Sequence, residues 1–478
     1  MASFPRPLPV LALLVLQFLT AAAFLVLIGG CRADRSEVRA QRRVQERPAA
    51  VRSAASCTIA EVARHHLRLA DGHYVYVEPQ HFARGAQGWV LAGQPTYRVR
   101  VDRDEGGALT ESGGWFGVTF TVDEARPIAL PPVPPGSRIV WARGAPARVA
   151  GRSGFVYEVA DGAPGQRGVP LSPARPHVPS RLVFAEYDGV AGTWEPMGEL
   201  PAPREGRLRG LEALAGPLDV TEPPDGVRRR GTAAQVLAVP HELPRGGVDV
   251  LLFRLGARGW TSSRVWPRWI DEIAIGAAPG RGAVLALAGL DSGMEARRAS
   301  VRTLFLDPPH GPVDSMSARR LQNGEPGERF ASPAFASAAG RLDLGWLRRT
   351  PGAPTSAWVM PGVREDRGRP RVASGGPYLI DPMAGLIVPV DGAHGASLWL
   401  TARAPGPGRG SSASIRATLL GPAGAVDAGL VPNPFHGPFA AVRASPTEVL
   451  VVGPEARFDP VRPYVRSLVI RLSIRCTP

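Results

Sequence analysis

The chain contains no lysine. All 56 of its basic residues are arginine, against 42 acidic ones, for a formal net charge of +14 over 478 residues. Schiff-base enzymes and P-loop nucleotide hydrolases are therefore excluded, because they need a lysine amine or ammonium, and a guanidinium stays protonated and is a poor nucleophile. Cysteine is scarce, with Cys31, Cys57 and Cys476 alone, and there is no CxxC, HxxxH or HExxH spacing to hold a metal. A GxSxG elbow and a glycine-rich phosphate loop between strand and helix are also missing. Charged residues make up only 21% and hydrophobic ones 44%, which marks a globular chain. With 56 glycines and 50 prolines, long helices are disfavoured and β structure is favoured. Arginine in place of lysine, with abundant Ala, Gly and Pro, is the mark of a GC-rich genome, so the positive balance does not argue for a nucleic-acid partner.

What the chain does have is an apolar run from Leu8 to Cys31, LPVLALLVLQFLTAAAFLVLIGGC, preceded by Arg6 and followed by RADRSEVRAQRR. Its last four residues, Ile28-Gly29-Gly30-Cys31, resemble the lipobox of bacterial lipoproteins. That resemblance implies a signal peptide over residues 1–30, cleavage after Gly30 and lipid, including palmitate, on Cys31. An uncleaved signal anchor is the other reading, since about 18 or more uncharged, mostly apolar residues span a bilayer. Either way the rest of the chain is exported into the bacterial cell envelope and faces the periplasm or the cell exterior. Loss of Arg6 with the signal lowers the formal charge from +14 to +13. There the expected partners are membrane lipid, through the anchor, and an anionic surface such as headgroups or acidic glycan. With Cys31 lipidated, Cys57 and Cys476 remain near the two ends of the folded region in an oxidising compartment. A single disulfide between them is expected, with two unpaired thiols as the alternative.

Residues 31–56 are polar and rich in Arg and Ala, with little periodicity, and read as a tether. A short helix is expected from Ile59 to Leu69. Beyond it the pattern has period two: HYVYVEP from His73, TYRVRVD from Thr96, GWFGVTFTV from Gly114, SRIVWAR from Ser137 and GFVYEVAD from Gly154 each read as a strand. Two stretches share one grammar of apolar strand, glycine turn and tryptophan opening the next strand. These are RLVFAEYDG from Arg181, leading to Thr193-Trp194, and DVLLFRLGA from Asp249, leading to Trp260-Thr261. Hairpin follows hairpin to the terminal VRSLVIRLSIRC, in which Leu468, Ile470, Leu472, Ile474 and Cys476 share one face and Cys476 is expected to point into the packed layer. Short antiparallel strands with inexact copies predict an all-β fold, a β-propeller of six or seven blades over residues 57–478, with a pair of β-sandwiches as the alternative. A ring must join its first blade to its last, which a bond from Cys57 to Cys476 would do.

The segment from Tyr187 to Trp194 is similar to the Asp-box of sialidase-type propellers, whose pattern is Ser/Thr-x-Asp-x-Gly-x-Thr-Trp. Asp188, Gly192, Thr193 and Trp194 carry the likeness; Glu186 stands where the Ser/Thr belongs, and one extra residue separates Asp188 from Trp194. In that family the box is a structural turn, so the resemblance implies fold and not activity. Glu186 and Asp188 share a strand face, as a general acid/base pair would, although Asp before Gly is ordinary turn chemistry. Glu365-Asp366 reads as a loop charge cluster. His65-His66 with His73 and His81 lack ligand spacing. Trp115, Trp194, Trp260, Trp346 and Trp399 sit on strands, where packing between blades is the expected role. No catalytic residue, metal or cofactor is assigned. The reading is a membrane-tethered, non-catalytic propeller that binds a glycan, peptide or envelope protein; a sialidase-like glycosidase or lyase is the alternative, because propeller active sites gather residues from separate blades.

Overall fold

The structure, a computed structural model, describes residues 57–67, 82–85, 88–93, 97–100, 108–111, 116–120, 125–147, 149, 152–161, 180–201, 207–208, 213–218, 234–243, 248–256, 259–265, 270–278, 282–291, 298–306, 319–338, 340–366, 369–371, 377–393, 395–403, 413–457 and 464–476. The chain divides into two compact units, Met1–Ala49 and Ala50–Pro478, and every described residue belongs to the second. The signal peptide, Cys31 and the tether expected from the sequence lie outside the described residues, as do His73, His81 and Trp115.

The helix expected over 59–69 is instead a strand, β1 (Cys57–His66). Its weak periodicity is compatible with either state, and pairing with the last strand of the chain supplies the backbone hydrogen bonds that decide the matter. The first sheet then follows: β2 (Phe82–Gly85), β3 (Gly88–Gly93), a separate ribbon of β4 (Tyr97–Arg100) and β5 (Ala108–Glu111), then β6 (Phe116–Phe120) and β7 (Ala125–Ile128). The second sheet comprises β8 (Ser137–Pro146), β9 (Ser153–Asp161), β10 (Ser180–Asp188) and β11 (Thr193–Leu200). In the third, β12 (Arg207–Leu208) and β13 (Ala213–Leu218) both edge β14 (Ala234–Glu242), which continues to β15 (Val248–Gly256) and β16 (Gly259–Val265). The fourth is β17 (Ile270–Ala278), β18 (Gly282–Asp291), β19 (Arg298–Leu306) and β20 (Arg319–Pro326).

The fifth sheet is β21 (Arg329–Ala338), β22 (Arg341–Arg349) and β23 (Ser356–Met360), then, after a ribbon of β24 (Arg364–Asp366) and β25 (Arg369–Arg371), β26 (Tyr378–Asp381). The sixth is β27 (Leu386–Ala393), β28 (Ala396–Arg403), β29 (Ser414–Gly421) and β30 (Gly424–Pro432). The seventh is β31 (Ala440–Ser445), β32 (Glu448–Arg457) and β33 (Tyr464–Cys476), completed by β1 as its terminal strand. All pairing is antiparallel, and every described element is a strand.

The first strands lie against one another in series, β2 with β8, then β13, β17, β21, β27 and β31, and β33 returns to the first sheet's ribbon through β4. In six of the seven sheets that first strand has a break in register, for example between Ile270 and Glu272 on β17 and between Ala331 and Ala334 on β21. Bulges bend and twist a strand, which lets first strands crowd toward a common centre. The apolar layers alternate with the sheets. Phe184, Leu182, Leu237, Val239, Leu251 and Phe253 fill the seam between the second and third sheets. Val236, Leu252, Ile273, Ile275 and Leu285 fill the next, and Ala286, Val301, Phe330, Leu344 and Trp346 the one after. The second to sixth sheets thus bury both faces against their neighbours, and the fold is all-β and β-propeller-like.

Pairing of β1 with β33 runs from Cys57↔Cys476 to His66↔Leu468. The two cysteines are bonded, with Cα atoms 4.0 Å apart across a sequence separation of 419. One expectation fails here. Leu468, Ile470, Leu472 and Ile474 are buried as predicted, but Cys476 is exposed. The alternation puts it on the inward face, yet β33 has by then run past the edge of the core.

Candidate functional site

The carboxylate pair singled out by the sequence lies at the β10–β11 turn. Glu186 is fully buried and directly opposite Glu195 on β11. Two like charges opposed across a ladder repel. Arg152, the residue just before β9, offsets them: its guanidinium pairs with Glu195, lies 3.3 Å from Asp188 and 4.0 Å from Glu186. Asp188 accepts the backbone N–H groups of Val190 (2.9 Å) and Ala191 (3.1 Å). Those two donors, with Arg152, hold its carboxyl below the ordinary range. Gly192 closes the turn at φ 69°, where a side chain would be strained, and donates its N–H to the Asp188 carbonyl at 2.8 Å. General acid/base work needs one carboxyl kept protonated while the other ionises; here a single guanidinium lies against all three carboxyls instead. The arrangement is a clasped turn.

Trp194, which opens β11, packs on Phe155 and Tyr187 and donates its indole N–H to the Ala129 carbonyl at 2.7 Å, just beyond the outer strand of the preceding sheet. Trp260, which follows the first residue of β16, does the same one sheet later. It meets Phe184 edge-on and donates to the Met197 carbonyl on β11, again the outer strand of the preceding sheet, at 3.1 Å. The two sequence copies thus place their tryptophans in equivalent seams. Trp346 and Trp399 are fully buried.

One pair escaped the sequence reading. His241, the penultimate residue of β14, lies opposite Asp249 on β15, with Nδ1 and Oδ1 2.8 Å apart and both residues 1% exposed. The Arg264 Nε lies 3.9 Å from the second Asp249 oxygen. An aspartate on Nδ1 orients an imidazole as it would in a catalytic base, but here the pair is sealed in the face of the third sheet that meets the second. Its sequence signal was available: in the hairpin around Glu242-Leu243-Pro244-Arg245-Gly246-Gly247, Glu242 and Val248 are partners and the next pair must be His241 and Asp249.

The seam between the fifth and sixth sheets carries two more fully buried carboxylates. Asp343 takes Arg341 Nε at 2.8 Å and Nη2 at 3.0 Å, the Gly362 N–H at 2.8 Å, and across the seam the Ser397 hydroxyl at 2.6 Å, which itself receives the Trp399 indole N–H at 3.0 Å. Asp381 takes Arg403 Nε at 2.9 Å on both oxygens, Thr401 at 2.8 Å and the Met383 N–H at 2.9 Å. Nearby, Arg416 pairs with Asp427. Burial works against ionisation of Asp427, but Arg416 and the Gly429 N–H outweigh it and its carboxyl falls below the ordinary range. Glu328 is likewise depressed: burial opposes, while Arg348, the Glu325 N–H and Thr350 prevail. Glu365 and Asp366 lie on β24, paired with β25. His66 pairs with Glu455 on β32 at 2.8 Å. Among the described residues no group of three or more His, Cys, Asp or Glu is placed to hold a metal ion.

No family model and no curated protein matches the chain. Solved structures do. A Dyadobacter fermentans protein of unknown function is 15% identical, covering 72% of this chain and 100% of that one, with a TM-score of 0.40. Trypanosoma rangeli sialidase bound to the inhibitor DANA is 10% identical over 87% of this chain and 60% of its own, at TM-score 0.41. A polysaccharide lyase, ulvan lyase, is 11% identical over 86% of this chain and 94% of its own, at 0.39. Likeness of this degree decides nothing about what the chain binds or does.

Proposed function

We propose that this chain is an exported, lipid-anchored propeller of seven blades that binds a glycan, peptide or envelope protein without transforming it. The observation that carries this reading is the commitment of its carboxylates. Asp343, Asp381, Glu328, Asp427 and Asp188 each accept several protein donors and pair with an arginine, and groups so held serve the architecture rather than proton transfer. Seven successive sheets whose first strands abut, closed by a strand from the other chain end, support the blade count. Export and lipid on Cys31 rest on the apolar run and its lipobox-like end. The positive balance favours an anionic glycan or headgroup surface over nucleic acid as the thing met there.

The test is retention and turnover measured together. Detergent-solubilised full-length chain is passed over immobilised neutral and acidic glycans and envelope peptides, and the same ligands are assayed for cleavage. Saturable, salt-sensitive retention without product is expected. Release of sialic acid or of unsaturated lyase product would replace this reading with a glycosidase or lyase, and failure to retain any of the classes would also overturn it.

A further inference from the structure

We propose that the Cys57–Cys476 disulfide is a thiol-exchange site, attacked at the Cys476 sulfur, and that its opening frees β1 while the remaining sheets stay folded.

Besides the disulfide, β1 is held by its ladder to β33 and by packing on β30, with few buried side chains of its own. It is the terminal strand of its sheet. Of its ten residues only Ile59 is buried, at 9%; Thr58, Ala60, Val62 and Arg64 are exposed, and Val62 is 46% exposed. The core to which Ile59 adds is otherwise built from β27 to β33 and the segment after β30, with Leu398, Leu400, Ile415, Val449, Val451, Leu468, Ile470 and their neighbours. Without β1, β33 keeps its full ladder to β32 and every one of those contacts, and a sheet of three strands packed on a neighbour is stable. Arg64 pairs with Glu61, within β1 itself, and only its weaker attraction to Glu455 reaches across to β32. At the far end β1 is pinned by His66 on Glu455 and by the Leu67 N–H on the Ser467 carbonyl at 3.0 Å. At the near end it is pinned by the disulfide. A strand with one buried side chain and a covalent bond at its mouth belongs to the low-stability end of the molecule once that bond is cut.

The two cysteines differ in exposure. Cys57 is half-buried and packs against the core cluster, whereas Cys476 is exposed beyond the core's edge. Exchange needs a thiolate to approach one sulfur in line with the other, so Cys476 is the one presented. A dithiol reductant's thiolate attacks Cys476 Sγ; the S–S bond breaks and Cys57 leaves as thiolate. The second reductant thiol then displaces Cys476, giving an oxidised reductant and two protein thiols, with both electrons supplied by the dithiol.

Two measurements on the full chain in detergent test this. Hydrogen exchange is followed with and without dithiothreitol. The expected result is that protection of amides 57–66 falls by about tenfold or more while β17 to β30 are unchanged. Unaltered protection of 57–66, or loss across all sheets, would overturn the proposal. The Cys57→Ser, Cys476→Ser double variant should show the reduced pattern without reductant, and a globally unfolded double variant counts against the proposal equally. In the second measurement, brief exposure to reduced glutathione followed by alkylation should place the glutathione mass on the Cys476 peptide; its appearance on Cys57 instead would reverse the assigned point of attack.

Discussion

Gly345 on β22 lies beneath the indole of Trp399 on β28, so that a methyl group on its Cα would overlap the ring and come within 2.8 Å of the Ile387 side chain. The fifth and sixth sheets can approach this closely only because that position has no side chain. Gly345→Ala is therefore expected to lower stability by about 1–3 kcal/mol, read as a fall in the urea midpoint at constant slope. Combining it with Trp399→Phe should recover part of the loss, and strict additivity of the two would argue against the contact.

Asp343→Ala removes the acceptor shared by Arg341, Gly362 and Ser397 and leaves the part-buried Arg341 guanidinium only the Leu420 carbonyl. The expected cost is about 1–3 kcal/mol. Asp343→Asn keeps an oxygen for Ser397 or Gly362 and should cost less. Equal effects from the two would mean that the charge is immaterial.

Acid should weaken the fold through Glu328 and Asp427. Both carboxyls are depressed in the folded state. The stability they contribute is therefore fully present above the unfolded-state value of about 4 and is lost as pH falls through the lower folded values. Asp427→Asn should flatten the acid limb of a midpoint-against-pH curve while leaving its shape above pH 6 or so unaltered; a steeper acid limb would contradict the sign.

Trp260→Phe and Trp194→Phe each delete one indole N–H bonded to a backbone carbonyl of the preceding sheet. About 1 kcal/mol is expected for each, with the larger loss at Trp260, whose bond is the more buried. Because the two lie in different seams, the double variant should show the sum.

Intact mass of the membrane-bound protein should show loss of residues 1–30 and added acyl chains at Cys31, and Cys31→Ser should leave the precursor unprocessed. A full-length, unmodified chain in the membrane would instead indicate the uncleaved anchor.

The strands with strong alternation were legible: β4, β6, β8 to β10, β15 and β33 were all read from β-branched and aromatic residues between turns. β21, with the sequence RFASPAFASA, was not. Its small residues and Pro333 suit a bulged first strand crowded against its neighbours and give no periodic signal. β1 was misread because CTIAEVARHH has one strongly buried position, and its state is settled by a partner at the opposite end of the chain. The likeness between the Trp194 and Trp260 units was readable because turn grammar is local. The Asp343 set was not, since Gly362 reaches it from the segment after β23 and Ser397 from β28, and only the i, i+2 placement of Arg341 and Asp343 shows in the sequence. His241 and Asp249 were readable in principle, because hairpin register alone aligns them.

Closure by β1 also makes the fold a check on completeness. Sheets two to six are each drawn from one continuous stretch of chain, so each can form as soon as its own stretch has been made. β1, which emerges first, has no partner until β33 arrives. The delay costs little at equilibrium, since each doubling of a closed loop adds only about 0.6 kcal/mol, but it fixes the order of events. A product cut short before β33 can build its middle sheets, yet it leaves β1 unpaired and Cys57 as a thiol. A free thiol and a bare strand edge are both features that oxidants and proteases can act upon, so a truncated copy is marked by the same strand that seals the intact one.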